Sequence, residues 1–109
     1  MEVLAKEVDF TLCPKIEAAF SILGRKWNGL IIHTLLHKEN VRFSELAQIV
    51  NNLSDRMLSA RLKELEENGI VEKKASCQMR GVSVYQLTQK GVALASSLTE
   101  LEHWAEEYC

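Results

Sequence analysis

Several things are scarce in this chain of 109 residues. It holds one proline, five glycines and 6% aromatic residues. There are no internal repeats, low-complexity tracts or linkers, so one domain is expected. No apolar run approaches the roughly 18 residues needed to cross a bilayer. The opening Met1-Glu2-Val3-Leu4-Ala5-Lys6-Glu7 has neither the basic flank nor the apolar stretch of a signal peptide. A cytoplasmic protein with no membrane partner is expected. Cysteine pairs in metal-type or redox-type spacing are also missing. Cys13, Cys77 and Cys109 lie far apart, and an odd count argues against an internal disulfide framework. In a reducing compartment they rest as thiols.

Lysine and arginine are absent from residues 91–109, where Glu100, Glu102, Glu106 and Glu107 fall. The net charge of −2 therefore conceals an uneven distribution: 13 basic groups face 11 acidic ones before residue 91. Binding to a polyanion responds to a local basic face, so the overall charge does not exclude it. Apolar residues at 47% and charged residues at 26% are ordinary for a globular fold.

Residues 1–12 show no clean period and read as an arm; residues 13–109 read as the folded domain. Pro14 suits a first helical position, and Ile16, Ala19, Phe20 and Leu23 recur at helical spacing before Gly24. A second helix is expected from Arg25 to His37, with Trp27, Leu30, Ile31, Thr34 and Leu35 along one stripe. Val41-Arg42-Phe43 reads as a short strand, and Ser44 as the cap of a third helix, Glu45 to Val50. After the break at Asn51-Asn52, Ser54 caps a fourth helix, with Leu53 and Leu58 placed as a hydrophobic staple, that ends at Gly69. Residues 70–77 and 82–87 read as strands joined by a hairpin at Gln78-Met79-Arg80-Gly81. Thr88 caps one long last helix, in which Leu94, Leu98, Leu101, Ala105 and Tyr108 form a seam suited to another helix.

This order of elements, mainly α with a small β-hairpin, defines a winged helix-turn-helix that binds double-stranded DNA. In the fourth helix Met57, Leu58, Leu62 and Leu65 are expected to be buried, and Arg56, Ser59, Ala60 and Lys63 to face outward. Arg56 can hold guanine through two hydrogen bonds, Ser59 can pair with several bases, and Asp55 can accept from cytosine, next to the Ser54 cap. Arg61 and Lys63 suit phosphates. Lys73, Lys74 and Arg80 of the hairpin suit an adjacent groove or backbone. The alternative for each residue taken singly is a solvated charge on an ordinary surface.

The motifs Cys13-Pro14, Leu23-Gly24-Arg25-Lys26-Trp27, Arg42-Phe43-Ser44-Glu45-Leu46, Leu53-Ser54-Asp55-Arg56-Met57-Leu58, Leu62-Lys63-Glu64-Leu65-Glu66 and Tyr85-Gln86-Leu87-Thr88 with Gly91 resemble the HxlR family of bacterial regulators, relatives of the MarR type. The resemblance spans residues 12–108. It implies a homodimer built from the first and last helices on a palindromic operator. A repressor rather than an activator is expected. It also implies a response to oxidants or electrophiles such as quinones or aldehydes through Cys13. The chain departs from the family's proline-rich wing tip at Gln78-Met79-Arg80-Gly81, with Cys77 just before it.

Cys13 stands where a helix begins, so free amides, the helix dipole and nearby Lys15 favour its thiolate. Across a dimer, Cys109 of one chain can approach Cys13 of the other. A disulfide there would alter the separation of the two recognition helices, which must match roughly 34 Å of duplex. A mixed disulfide and an electrophile adduct stay open as alternatives. The blander reading makes Cys13 a small buried residue, Cys77 a strand filler and Cys109 a frayed end. His33 and His37 have a metal-compatible spacing but no evident third ligand, so no metal and no cofactor are expected. Trp27 and Phe20 read as packing residues. A thiol enzyme built on Cys13 lacks a resolving cysteine or a Cys-His-Asn signature, so no catalysis is expected. Two further functions stay compatible with these residues: a regulator controlled by a non-redox small ligand, and an interaction module that never touches DNA.

Overall fold

The computed structural model describes residues 9–109. Most of the arm expected over residues 1–12 lies outside the described residues; residues 9–12 are exposed and form no regular element. The elements run α1 (Pro14–Leu23), α2 (Asn28–His37), α3 (Phe43–Ile49), α4 (Asp55–Glu67), β1 (Val71–Ala75), β2 (Ser83–Leu87), α5 (Gln89–Ser96) and α6 (Thr99–Tyr108). This is the mainly helical winged helix-turn-helix expected, with one antiparallel hairpin.

α1 begins at Pro14, whose missing amide is no loss in a first turn, and the Cys13 carbonyl accepts from the amides of Ile16 and Glu17 at 3.1 Å each. α2 starts three residues later than the expected Arg25. Trp27 takes φ 82°, a left-handed conformation no α-helix accommodates, and Arg25 to Trp27 form a turn. Asn28 anchors that turn: it is fully buried and its carboxamide donates to the Ile22 carbonyl at 2.9 Å.

The short strand at Val41-Arg42-Phe43 reduces to Val41, which exchanges two hydrogen bonds with Tyr85 at 3.0 and 2.8 Å. Phe43 already belongs to α3, so Ser44 is not its cap. Arg42 holds that position, and the Glu45 carboxylate, three residues on, accepts the Arg42 amide at 2.9 Å.

Asn52, at φ 68°, turns the chain between α3 and α4. The Ser54 hydroxyl then accepts the Met57 amide at 3.1 Å, and Leu53 and Leu58 are both buried. Leu58, Leu62 and Leu65 face inward as expected, but Met57 is 38% exposed, at the edge of that stripe. α4 ends at Gly69, φ +73°, with the Ile70 amide on the Leu65 carbonyl and the Gly69 amide on that of Glu66. This pair of bonds needs a left-handed residue, which glycine supplies without strain.

β1 and β2 pair in the register Val71 to Leu87 through Ala75 to Ser83. Their junction with α5 is tight. The Thr88 hydroxyl caps α5 by accepting from Gly91 at 3.0 Å, and a side chain at Gly91 would collide with the Ile70 carbonyl oxygen.

The single long last helix expected after Thr88 is two helices. At Ser97 and Leu98 the amides reach back three residues, to Leu94 and Ala95, and the Ser97 hydroxyl donates to the Leu94 carbonyl at 2.6 Å. The chain tightens there and changes direction, as serine side chains that compete for backbone carbonyls promote. Ile31, Ile32 and Leu35 of α2, Leu46 of α3, the α4 stripe, Ile70, Val71, Tyr85 and Ala95 form one core. α1 and α6 contribute no buried residue to it.

Candidate nucleic-acid interface and redox positions

α4 is held against the core by one stripe, which determines what its other sides can meet. At about 100° per residue, Arg56, Ala60 and Lys63 lie roughly opposite Leu58, and Ser59 lies to one side of them. All four are exposed. Arg61 lies only about 60° from Leu58 on the same count. Its side chain is 13% exposed and donates to the Glu64 carboxylate at 3.0 Å. Arg61, expected to suit phosphate, is thus turned toward the core and paired with Glu64 in the structure. Ser54 and Asp55 are exposed at the N-terminal end, where free amides and the helix dipole favour an anion.

Lys73 and Lys74 are exposed but, as neighbours on β1, point to opposite faces of the hairpin. Lys73 lies across from Tyr85, its ammonium 5.9 Å from the ring centre. Arg80 is exposed in the loop joining β1 to β2. Ser76 shapes this loop by accepting the amides of Gln78 and Met79 at 3.1 Å each, and Gly81 closes it at φ +78°. Among the described residues, no carboxylate forms an ion pair with Arg56, Lys63, Lys73, Lys74 or Arg80.

A polar cleft of about 420 Å³ separates the wing from the link between α2 and α3, and Lys38, Arg42 and Lys74 line it together with Glu39 and Glu45. Spacing alone did not single out Lys38 or Arg42. Glu45 lies 3.6 Å from Arg42 and 4.0 Å from Lys38. The hydrogen bond from the Arg42 amide, with these two cations beside it, holds the Glu45 carboxyl below its ordinary range.

Cys13, Cys77 and Cys109 are all exposed free thiols, at the start of α1, in the wing loop and just past α6. On α1 and α6 a large apolar surface lacks a partner among the described residues. Phe20 of α1 is 65% exposed and Leu101 of α6 58%, with Ile16, Leu30, Trp104 and Tyr108 also open to solvent. α1, α2 and α6 enclose a groove of about 730 Å³, lined by Phe20, Leu23, Leu30, Leu98, Leu101 and Ala105.

One grouping was invisible in the sequence. The Glu102 carboxylate of α6 reaches His33 and His37 of α2, supplying the third side chain that their spacing lacked. Among the described residues no helix is long and apolar enough to cross a membrane.

The chain is 46% identical over 99 residues to the transcriptional regulator YodB of Bacillus subtilis, covering 91% of this chain and 88% of the relative. The solved structure of reduced YodB superimposes with a TM-score of 0.77 at 44% identity, covering 91% of this chain and 96% of the other. The oxidised form of the redox regulator HypR gives 0.78 at 30% identity, covering 89% and 98%. Residues 22–109 match the model of the HxlR-like helix-turn-helix family. The chain belongs to the HxlR-like helix-turn-helix family of transcriptional regulators.

Proposed function

We propose that the protein is a homodimeric repressor that reads a palindromic operator with α4 and releases it when Cys13 is oxidised or alkylated. The observation that carries DNA binding is the set of cations on the exposed face of α4 and on the wing, none of them in an ion pair among the described residues. Arg56 and Ser59 sit in the first turns of α4, where base edges are reached, and Lys63 follows on the side that meets phosphate. Ser54 and Asp55 complete the N-terminal end. Lys73 or Lys74, on opposite faces, and Arg80 serve the flanking backbone. An interaction module with no nucleic-acid partner has no need of such a face.

The apolar surface of α1 and α6 supports the dimer, since a solvent-facing patch of this kind marks an association surface. It also supports residues 13–109 as one unit whose last helix serves dimerisation. Cys13 and Cys109 stand at the ends of those two helices, so both thiols border the proposed interface. YodB has been solved with bound quinone and after diamide treatment, which supports a thiol-directed response here. The natural modification is an intersubunit disulfide with Cys109, a mixed disulfide or an adduct. A cytoplasmic location keeps the resting thiols reduced.

A gel shift on the DNA flanking the gene tests the reading. Operator affinity should fall steeply with salt, as counterion release requires. Arg56→Ala should lose discrimination between operator and random DNA, whereas Lys73→Ala and Arg80→Ala should weaken both alike. Equal losses on both DNAs for all three variants would remove α4 from the reading role. Cys13→Ser should bind operator normally and remain bound under diamide or quinone. Its release at the parental dose would place the switch elsewhere.

A further inference from the structure

We propose that His33, His37 and Glu102 form a binding site for a divalent transition metal of the zinc class, joining α2 to α6. The two histidines stand four residues apart on α2, so both imidazoles project from one side of the helix. Their ring centres are 4.7 Å apart. One oxygen of Glu102 lies 3.3 Å from His33 Nδ1 and 3.0 Å from His37 Nε2, and the ligand atoms of the three residues lie within 4.8 Å of one another.

The two nitrogen–oxygen separations match the chemistry. Zinc bonds imidazole nitrogen and carboxylate oxygen at about 2.0–2.2 Å, which places neighbouring ligand atoms of a tetrahedron roughly 3.3 Å apart. Two nitrogens and one carboxylate oxygen select a borderline metal. Calcium and magnesium prefer all-oxygen shells, and copper(I) prefers sulfur. The three side chains are between 30% and 55% exposed, so a water can complete the fourth position without rearrangement of the backbone. Glu102 lies 65 residues from His37 in sequence, which is why the spacing of the histidines alone does not reveal the site.

The placement matters because α6 has little else to fix it. Among the described residues, the contacts of Glu102 with His33 and His37 are the polar links between α6 and the rest of the protein. A metal there would replace the His37–Glu102 hydrogen bond and the His33–Glu102 contact with coordinate bonds and set the angle of α6 on α2. His33 and Glu102 also line the apolar groove, so the ion would stand at its edge. Metal binding itself does not depend on the DNA-binding reading.

The test uses the full chain, reduced and stripped of metal with a chelator, titrated with cobalt(II) and then zinc(II). One equivalent of cobalt per chain should give the visible absorption of a tetrahedral nitrogen and oxygen site, with no thiolate charge-transfer band, and zinc should displace it. Glu102→Gln and His37→Gln should each weaken binding at least tenfold, while Cys13→Ser leaves it unchanged. X-ray absorption at the zinc edge of the unaltered protein makes the result independent of whether a variant folds. A first shell of nitrogen and oxygen with imidazole scattering supports the site. Sulfur in that shell, unchanged affinity in both variants, or no zinc retained at micromolar concentration would overturn it.

Discussion

Glu45 shows how one side chain sets both a helix start and an acid sensitivity. Its carboxylate accepts the amide of Arg42 and sits beside the cations of Arg42 and Lys38, so its proton affinity in the folded chain lies below the ordinary value of 4.5. A lowered value in the folded state stabilises the fold above the ordinary carboxylate range and ceases to do so as the pH falls through the lower, folded value. Glu45→Gln should therefore reduce stability at neutral pH, with the difference from the parent shrinking as the pH falls below 4.5. Urea unfolding at neutral and acid pH measures this, and a difference independent of pH would contradict it. Arg61 teaches a different point at the same scale. The helical wheel already placed it near Leu58, yet its charge suggested an outward role; Glu64 and the neighbouring stripe hold it inward instead.

At the scale of elements, α4 was legible because its signals are local: a hydroxyl at the cap, a leucine stripe and a glycine at the end. Ser54 was also a candidate for touching DNA, and its hydroxyl is already committed to the Met57 amide. Ser54→Ala should thus cost about 1 kcal/mol of stability, the usual loss for a missing cap. Thermal unfolding checks this, and an unchanged midpoint would show that the cap contributes nothing. The misread elements had causes outside local spacing. The start of α2 is determined by a buried carboxamide bridging to the end of α1, and Val41 pairs with Tyr85, 44 positions later. The apolar repeat from Leu94 to Tyr108 continues through Ser97 and Leu98, and only the backbone shows that the helix is interrupted there.

At the scale of the whole molecule, the core belongs to α2–α5 and the hairpin, while α1 and α6 place no buried residue in it and, among the described residues, leave Phe20, Leu101 and Trp104 open. Placing a charge in that surface should separate the proposed dimer. Leu101→Glu should sediment as a monomer and bind operator roughly a hundredfold more weakly, since two linked recognition helices gain about that much from simultaneous engagement. A dimer of unchanged stability would move the interface elsewhere. The contact of Glu102 with the two histidines belongs to this scale too, because only the folded chain brings α6 against α2.

The absence of any buried residue in α6 has a further consequence. A ten-residue segment is too short to hold a helix on its own in water, so its order must be supplied by whatever lies against it. If the proposed dimer supplies that cover, amide exchange in this segment should quicken on dilution while the rest of the chain keeps its protection, and the abundance of the regulator would then govern how much of it is fully formed.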